Sequence, residues 1–325
     1  MDEPGNLVPR TVDIDPSLPA ININGEKFHA ETFGDIHKPI FVFIPGGPGT
    51  DYSGLISKQG IAPLSRYPNQ RNVNQQNVGL NQLQDEYFCV FFDPRGAGLS
   101  PRYDKGTYSL DLYHVDLKNI IDYFIAQKKA TTGILDSSVY LAGHSFGGLY
   151  VTSFVNKYPN LVKDVVFFEP APLSREVYKA LIQTSVFSMT NEKWLTEYLY
   201  SLKHMSYDNH ARADYHRILG FSESFPELEY SDNVPLWRYG ALVNAELEEE
   251  TFRDPDFMIT DQLSNFKGRA LFVWGEKTRA LDKDGIMLQM SYFANRASVT
   301  IPNTGHYMVW ENPDLCVDAI KNFLK

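Results

Sequence analysis

A serine lies between glycines at Gly143-His144-Ser145-Phe146-Gly147-Gly148. Upstream, Val139-Tyr140-Leu141-Ala142 reads as a short buried strand. Downstream, Leu149 to Tyr158 carries helix-type apolar spacing, with no proline before Pro159. Gly-x-Ser-x-Gly at a strand-to-helix junction is a nucleophile elbow. The turn is sharp enough that a side chain at 143 or 147 would collide with the neighbouring strand or helix. It would lift the Ser145 hydroxyl clear of a sheet and point the Phe146 N–H at whatever the hydroxyl attacks. An ordinary glycine-rich turn is the plain alternative; the strand before it and the helix after it argue against that. A serine hydroxyl is a poor nucleophile until a base takes its proton. Of eight histidines, only His306 directly follows a C-terminal strand and comes late enough for the order serine, acid, histidine. We read Ser145 as the nucleophile and His306 as its general base. His144, inside the elbow, is expected to pack or hydrogen-bond there. His29, His37, His114, His204, His210 and His216 read as surface or inserted residues with no paired spacing for a metal. Neither a metal nor another cofactor is expected.

These residues need a sheet to stand on, and the apolar runs supply one. Pro39 to Ile44, Phe88 to Phe92, Val165 to Phe168 and Ala270 to Trp274 are continuous, as in central parallel strands buried on both faces. The first run ends in Pro45-Gly46-Gly47-Pro48-Gly49, where the backbone must turn tightly and stay bare of side chains. The second ends in Asp93-Pro94-Arg95-Gly96-Ala97-Gly98-Leu99-Ser100, and the third in Glu169-Pro170. Ser298-Val299-Thr300-Ile301 leads to Gly305-His306. Ala20 to Phe33 alternates around Asn24-Gly25, a hairpin signal. Leu117, Ile120, Ile121 and Phe124 share one helix face, and an amphipathic helix runs from Pro313 to Leu324. Strands alternating with helices imply a mostly parallel sheet covered on both faces.

Residues 1–20, with four prolines, read as an extended N-terminal arm that orders only against the body. The Asn/Gln-rich stretch 66–84 reads as a surface insertion rather than a substrate lid. From 172 to 262, strand-type runs give way to amphipathic stretches rich in aromatic and acidic residues. This is expected to be a helical insertion dividing a core of 21–171 and 263–325. No internal repeat is found.

The chain of 325 residues is 43% hydrophobic and carries a net charge of −10 with no basic stripe, which argues against a nucleic-acid partner. Its two cysteines, Cys89 and Cys316, make no disulfide framework and read as buried apolar filler. No run reaches the length of a membrane span. The N-terminus lacks a charged and then apolar leader. The compartment stays open: cytoplasmic if the sequence is complete, exported if its N-terminus was trimmed.

The order Gly-Gly-Pro-Gly, Asp-Pro-Arg-Gly-Ala-Gly-Leu-Ser, Gly-His-Ser-Phe-Gly-Gly and a late Gly-His resembles the α/β-hydrolase fold. Within it the chain looks most like the proline iminopeptidase-type branch of serine hydrolases. The resemblance covers residues 22–170 and 265–325. That branch has His-Gly-Gly-Pro-Gly at the first turn, where this chain has Pro45, and a cap Trp-x-x-Trp-Glu that this chain lacks. The resemblance implies that the Gly47 N–H joins that of Phe146 in an oxyanion hole, which needs no side chain at 45. The family's acid follows a strand-end glycine by three residues. Here that glycine is Gly275 and the position is Thr278, which cannot charge-stabilise an imidazolium. Glu276 and Asp282 lie nearby but out of register. A second place for the acid in this fold, as in some haloalkane dehalogenases, is the end of the strand after the nucleophile helix, and Glu169 sits there. A carboxylate at a buried strand end needs a partner; a capping or edge-exposed glutamate is the plain alternative. We take Glu169 as the acid, with Asp282 as the alternative. Its carboxylate should meet the ring nitrogen of His306 that faces away from Ser145. Those dehalogenases, like epoxide hydrolases, use an aspartate nucleophile, so Ser145 argues against their chemistry. Glu246 and Glu248-Glu249-Glu250 could hold a substrate amine, but a solvated helix face is the preferred reading.

The expectation is a serine hydrolase with an α/β-hydrolase core and a helical cap, acting through an acyl-enzyme on Ser145. Its substrate would be a small molecule or short peptide carrying an ester or amide, bound where the aromatic residues suggest an apolar pocket. By resemblance, aminopeptidase activity leads. A carboxylesterase or lactonase comes second. A non-catalytic hydrolase-fold receptor is the reading from a different class, hinted at by positions 45 and 278.

Overall fold

The computed structural model describes residues 8–56, 79–135, 138–182, 210–221, 236–254, 256–278 and 281–325. Among these, eight strands form one sheet: β1 Ala20–Ile23, β2 Glu26–Phe33, β3 Ile40–Ile44, β4 Phe88–Phe92, β5 Val139–His144, β6 Asp164–Phe168, β7 Arg269–Gly275 and β8 Asn295–Ile301. The spatial order is β1-β2-β4-β3-β5-β6-β7-β8. β1 with β2 and β2 with β4 are antiparallel, and every other pair is parallel. This is the α/β-hydrolase arrangement, an eight-stranded, mostly parallel sheet flanked by helices. The flanking helices include α1 Ser53–Ile56, α2 Leu110–Thr132, α3 Phe146–Lys157, α4 Arg175–Ile182, α5 His210–Phe221, α6 Ala241–Glu248, α7 Lys283–Ser291, α8 Met308–Glu311 and α9 Pro313–Leu324.

The continuous apolar runs become strands buried along their whole length in β3, β4, β5 and β6. Alternation still sorts their side chains between two layers. Ile40, Val42 and Ile44 pack with Leu117 and Ile120 of α2 and Leu149 and Phe154 of α3. Phe41 and Phe43 face the other way, toward Tyr52 and the Cys316, Val317 and Ile320 stripe of α9. The β1–β2 turn places Asn24 at φ 53° and Gly25 at φ 89°, the left-handed pair that a two-residue hairpin requires. β8 closes one edge, with only Ile301 buried.

Parallel register aligns the strand ends. Ile44 lies beside Gly143, His144 beside Phe168, Phe168 beside Val273 and Gly275 beside Ile301. The turns that follow β3, β4, β5, β6, β7 and β8 therefore open at one end of the sheet, where ligands bind in open α/β folds.

Within 172–262 the described residues contain α4, α5, α6 and a wide turn at Glu249–Arg253, and no strand. Most of the Asn/Gln-rich stretch lies outside the described residues; Leu80–Asp85 is a short 3-10 helix. The N-terminal arm is described from Val8, and Val8, Thr11 and Val12 are buried. The Val12 N–H donates to the Leu99 carbonyl at 2.9 Å. Cys89 and Cys316 are buried free thiols, and no helix among the described residues is long and apolar enough to cross a membrane.

Two histidines depart from the surface reading. His29 is fully buried in β2, with Nδ1 2.7 Å from Asp93 Oδ2. It stacks on Tyr52 and meets Trp237 edge-on, so the rings converge on a stretch that alternation alone would expose. His114 of α2 precedes Leu117 by one helical step, shares its buried face, and forms no hydrogen bond through either ring nitrogen. His37 is exposed beside Asp35. His210 and His216 are half-buried on α5, and His204 lies outside the described residues.

Candidate active site

The elbow is built by close approach. A Cβ at Gly143 would come 2.3 Å from the Gly147 carbonyl oxygen, and one at Gly147 would come 2.4 Å from that of Ile44. Only hydrogen at both positions lets α3 start directly against β5 and β3. Ser145 itself sits at φ 54° and ψ −121°, in a region that L-residues enter at a cost of about 1–3 kcal/mol. Three backbone bonds hold it there. Its N–H donates to the Phe168 carbonyl at 2.9 Å, and its own carbonyl accepts from Gly148 at 2.9 Å and Ala171 at 2.8 Å. The result is a half-buried serine at the positive end of a 12-residue helix.

Glu169 is the first residue past β6 and also has positive φ, 40°. Its N–H donates to the Val273 carbonyl at 2.9 Å. Both carboxylate oxygens are engaged: Oε1 accepts from the Gly275 N–H at 2.8 Å, and Oε2 lies 2.7 Å from His306 Nδ1. Glu169 and His306 are both buried. An acceptor at Nδ1 fixes the ring proton there and leaves Nε2 as the unprotonated ring nitrogen. The acids near Gly275 have other work. Asp282 caps α7, accepting from the Gly285 N–H at 2.8 Å. Glu276 is exposed and accepts from the Asn303 N–H at 2.7 Å. The Thr278 hydroxyl is buried without a hydrogen-bond partner.

His144 ties the loop of His306 to the elbow. Its Nε2 lies 2.9 Å from the His306 carbonyl oxygen; a carbonyl only accepts, so His144 carries its proton on Nε2. The two rings lie 4.6 Å apart. Burial, reinforced by the neighbouring His306, pushes the His144 pKa down to about 3, which keeps this donor neutral. Composition and spacing singled out the place of His144 but not its partner, which is 162 residues away.

The turn after β3 reaches the serine through Gly46: a Cβ there would lie 3.0 Å from Ser145 Cβ. Gly47 follows at φ 116°. Phe146 begins α3, and the first N–H groups of a helix have no intrahelical acceptor. Beside Phe146 stands an aromatic wall, Phe252 edge-on at 6.3 Å and Tyr178 stacked on Phe252 at 4.8 Å.

The acids at the end of α6 and in the wide turn after it form the expected solvated face only at Glu249, which is exposed. Glu246 accepts from the N–H groups of Gly106 and Tyr108, and Glu250 from that of Leu110. Glu248 lies 3.5 Å from Arg217, and Glu249 pairs with Arg253 near the surface. Glu246 and Glu250 thus satisfy backbone donors in the approach to α2 and at its first residue, which no local pattern announces. Among the described residues no three His, Cys, Asp or Glu side chains converge as metal ligands.

A family model described as the alpha/beta hydrolase fold matches residues 39–313. Epoxide hydrolase 1 of Caenorhabditis elegans is 20% identical over 323 residues, 94% of this chain and 69% of that protein. The probable aminopeptidase YbaC of Bacillus subtilis is 24% identical over 129 residues, 39% of this chain and 32% of its own length. Among solved structures, the proline iminopeptidase of Mycobacterium smegmatis superposes with a TM-score of 0.56 at 14% identity, covering 95% of this chain and 97% of its own.

Proposed function

The chain belongs to the alpha/beta hydrolase fold family, and from that premise we propose that it is a serine hydrolase in which Ser145 attacks, His306 takes the proton and Glu169 orients His306. The observation that carries this reading is the 2.7 Å contact between Glu169 Oε2 and His306 Nδ1, made at the end of the sheet where the strained elbow presents Ser145. The Ser145 hydroxyl adds to an ester or amide carbonyl while its proton passes to His306 Nε2. The N–H groups of Phe146 and Gly47 receive the developing oxyanion. Collapse of the tetrahedral intermediate transfers the proton from His306 to the leaving group. Water, activated by the same imidazole, then releases the acid from Ser145. Glu169 keeps the proton on Nδ1 and stabilises the imidazolium during both attacks.

We assign residues 21–171 and 263–325 to the hydrolase core and 172–262 to a helical cap that covers the site. Support comes from the bonds that α6 and its approach make to the turn after β3, and from the Phe252 and Tyr178 rings beside Phe146. The substrate's acyl or leaving group would lie against those rings.

The similarity to an epoxide hydrolase does not carry epoxide chemistry to this chain, because position 145 is a serine. Choosing between ester and peptide turns on the acids of α6. A proline iminopeptidase-type reading, favoured by the turn motifs, needs a carboxylate free to pair with an α-amine. Glu246 and Glu250 already accept backbone N–H groups, which favours an esterase. Turnover of p-nitrophenyl esters beside aminoacyl-p-nitroanilides, free and N-acetylated, tests this. The account predicts ester hydrolysis that Ser145→Ala abolishes, and no dependence on a free amine. An N-acetyl penalty of several kcal/mol, as for breaking a buried charge pair, would restore the aminopeptidase. Ester turnover unchanged in Ser145→Ala would remove the serine mechanism altogether.

A further inference from the structure

The turn Pro45-Gly46-Gly47-Pro48-Gly49 must hold one conformation to keep its backbone against Ser145, yet its composition gives it little with which to do so. Two prolines remove N–H groups, and three glycines leave the backbone free to move. The bonds that fix it come from elsewhere in the chain, and they come in order. The Pro48 carbonyl accepts from Asn244 Nδ2 at 3.0 Å. The Gly49 carbonyl accepts from the Gly240 N–H at 2.8 Å. Asp51 Oδ2 accepts from the N–H groups of Trp237 at 2.6 Å and Arg238 at 3.0 Å. Segment 237–244 thus runs alongside 48–51 as a strap, and a Cβ at Gly49 would lie 2.5 Å from the Gly240 carbonyl oxygen.

Its two side-chain anchors are buried and locked in turn. Asn244 Oδ1 accepts from Arg217 Nε at 2.8 Å, while Nδ2 also reaches Glu248 Oε1 at 3.0 Å and the Tyr239 hydroxyl at 3.2 Å. Asp51 Oδ1 accepts from the Ser53 N–H at 3.0 Å and from the Ser53 hydroxyl. Both anchors are at most 5% exposed. A donor site is only as good as the shell that holds it.

We propose that Asn244 and Asp51 are positioning residues: through them the strap 237–244 holds Gly46 and Gly47 against Ser145 in the conformation that receives the oxyanion. The proposal rests on the serine hydrolase reading, but its physical core, the strap's hold on the turn, can be measured without turnover. The test combines hydrogen exchange by mass spectrometry over peptides spanning 43–52 with kcat, KM and thermal unfolding, for Asn244→Ala, Asp51→Asn and the double variant. Each single variant should speed exchange at residues 46–50 about tenfold, roughly what one lost hydrogen bond allows, with the strands unchanged. On a p-nitrophenyl ester, kcat should fall about 10- to 100-fold, less than deleting a donor outright, while KM stays within about threefold. The double variant should lose less than the product of the singles, because both act on one turn. Unchanged exchange would overturn the proposal. So would a rise in KM at constant kcat, which would make Asn244 a substrate contact, or losses that multiply independently. Failure of both single variants to fold would also overturn it, by making the strap a requirement for folding rather than for positioning. If the turn loosens as expected but the parent neither turns over esters nor reacts with a fluorophosphonate, the hydrolase reading fails and the catalytic role with it, while the strap's hold on the turn stands.

Discussion

The Glu169 carboxylate is held at both oxygens, by the Gly275 N–H on one and by His306 Nδ1 on the other. Replacing it by glutamine puts an amide where two donors converge, the Gly275 N–H and His306 Nδ1–H, so either the backbone bond or the histidine tautomer must give way. Loss of the same orienting group in a serine protease lowers turnover by about 10⁴, and Glu169→Gln should fall by that order with its melting temperature little changed. Asp282→Asn and Glu276→Gln should stay within about threefold of the parent, since asparagine caps a helix as well as aspartate does. Asp282→Ala should cost about 1 kcal/mol of stability without a matching loss of rate. A severe loss at 282 with a mild one at 169 would move the acid back to the loop after β7. The places of Ser145 and Glu169 were legible because each follows an apolar strand, and that of His306 because it follows the last strand behind a glycine. His144, Asn244 and Asp51 were not legible as site residues. Their partners lie 162, 196 and 186 residues away, and each looks unremarkable among its sequence neighbours.

Helices read well when one face was apolar and poorly when a polar residue had been taken into that face. Helix α2, read only from its apolar face, is capped by Ser109, which accepts from the Leu112 N–H at its start, and by Gly133 at φ 71° at its end. His114 lies on its buried stripe against Tyr150 and Phe154. Asp111 Oδ1 is 3.5 Å away, too far for a hydrogen bond. Burial, helped by the nearby Lys157 charge, pushes the His114 pKa down to about 4. The unfolded chain therefore binds a proton on this residue that the folded one refuses, between its ordinary value of 6.5 and about 4. Stability conferred by the neutral ring is complete above that window and is lost as pH falls through it. His114→Phe should remove up to about 1.4 kcal/mol per pH unit from the slope of unfolding free energy against pH there. Urea titrations at several pH values would show it, and parallel slopes in the two proteins would contradict it. The strands β3, β4, β6 and β7 were read to within one residue, because a continuous apolar run between turn residues has few alternatives. The largely exposed β8 starts three residues before the run read for it. Glu246 and Glu250 were misread as solvated, because the backbone donors they satisfy lie in and just before a helix 140 residues earlier.

At the scale of the whole molecule, parallel register gathers six strand ends at one edge of the sheet, and charge fastens α5 and the strap to the loop after β4. Asp214 of α5 accepts from Arg102 at 3.0 Å and from Arg238 at 2.6 Å, all three side chains nearly buried. Breaking such a pair from one side typically costs about 3–5 kcal/mol, so Asp214 ties α5 and the strap to the loop after β4. The fold was legible as a whole from the order of apolar runs and glycine turns. How the inserted region meets the core was not, because those bonds join segments with no shared periodicity. The most direct test is to incubate the full chain with a fluorophosphonate and map the adduct by peptide mass spectrometry. The prediction is a single modification on the peptide carrying Gly143 to Gly148, at Ser145, absent from Ser145→Ala and slowed in Glu169→Gln. An adduct on another residue, or none under conditions where the chain hydrolyses esters, would contradict it.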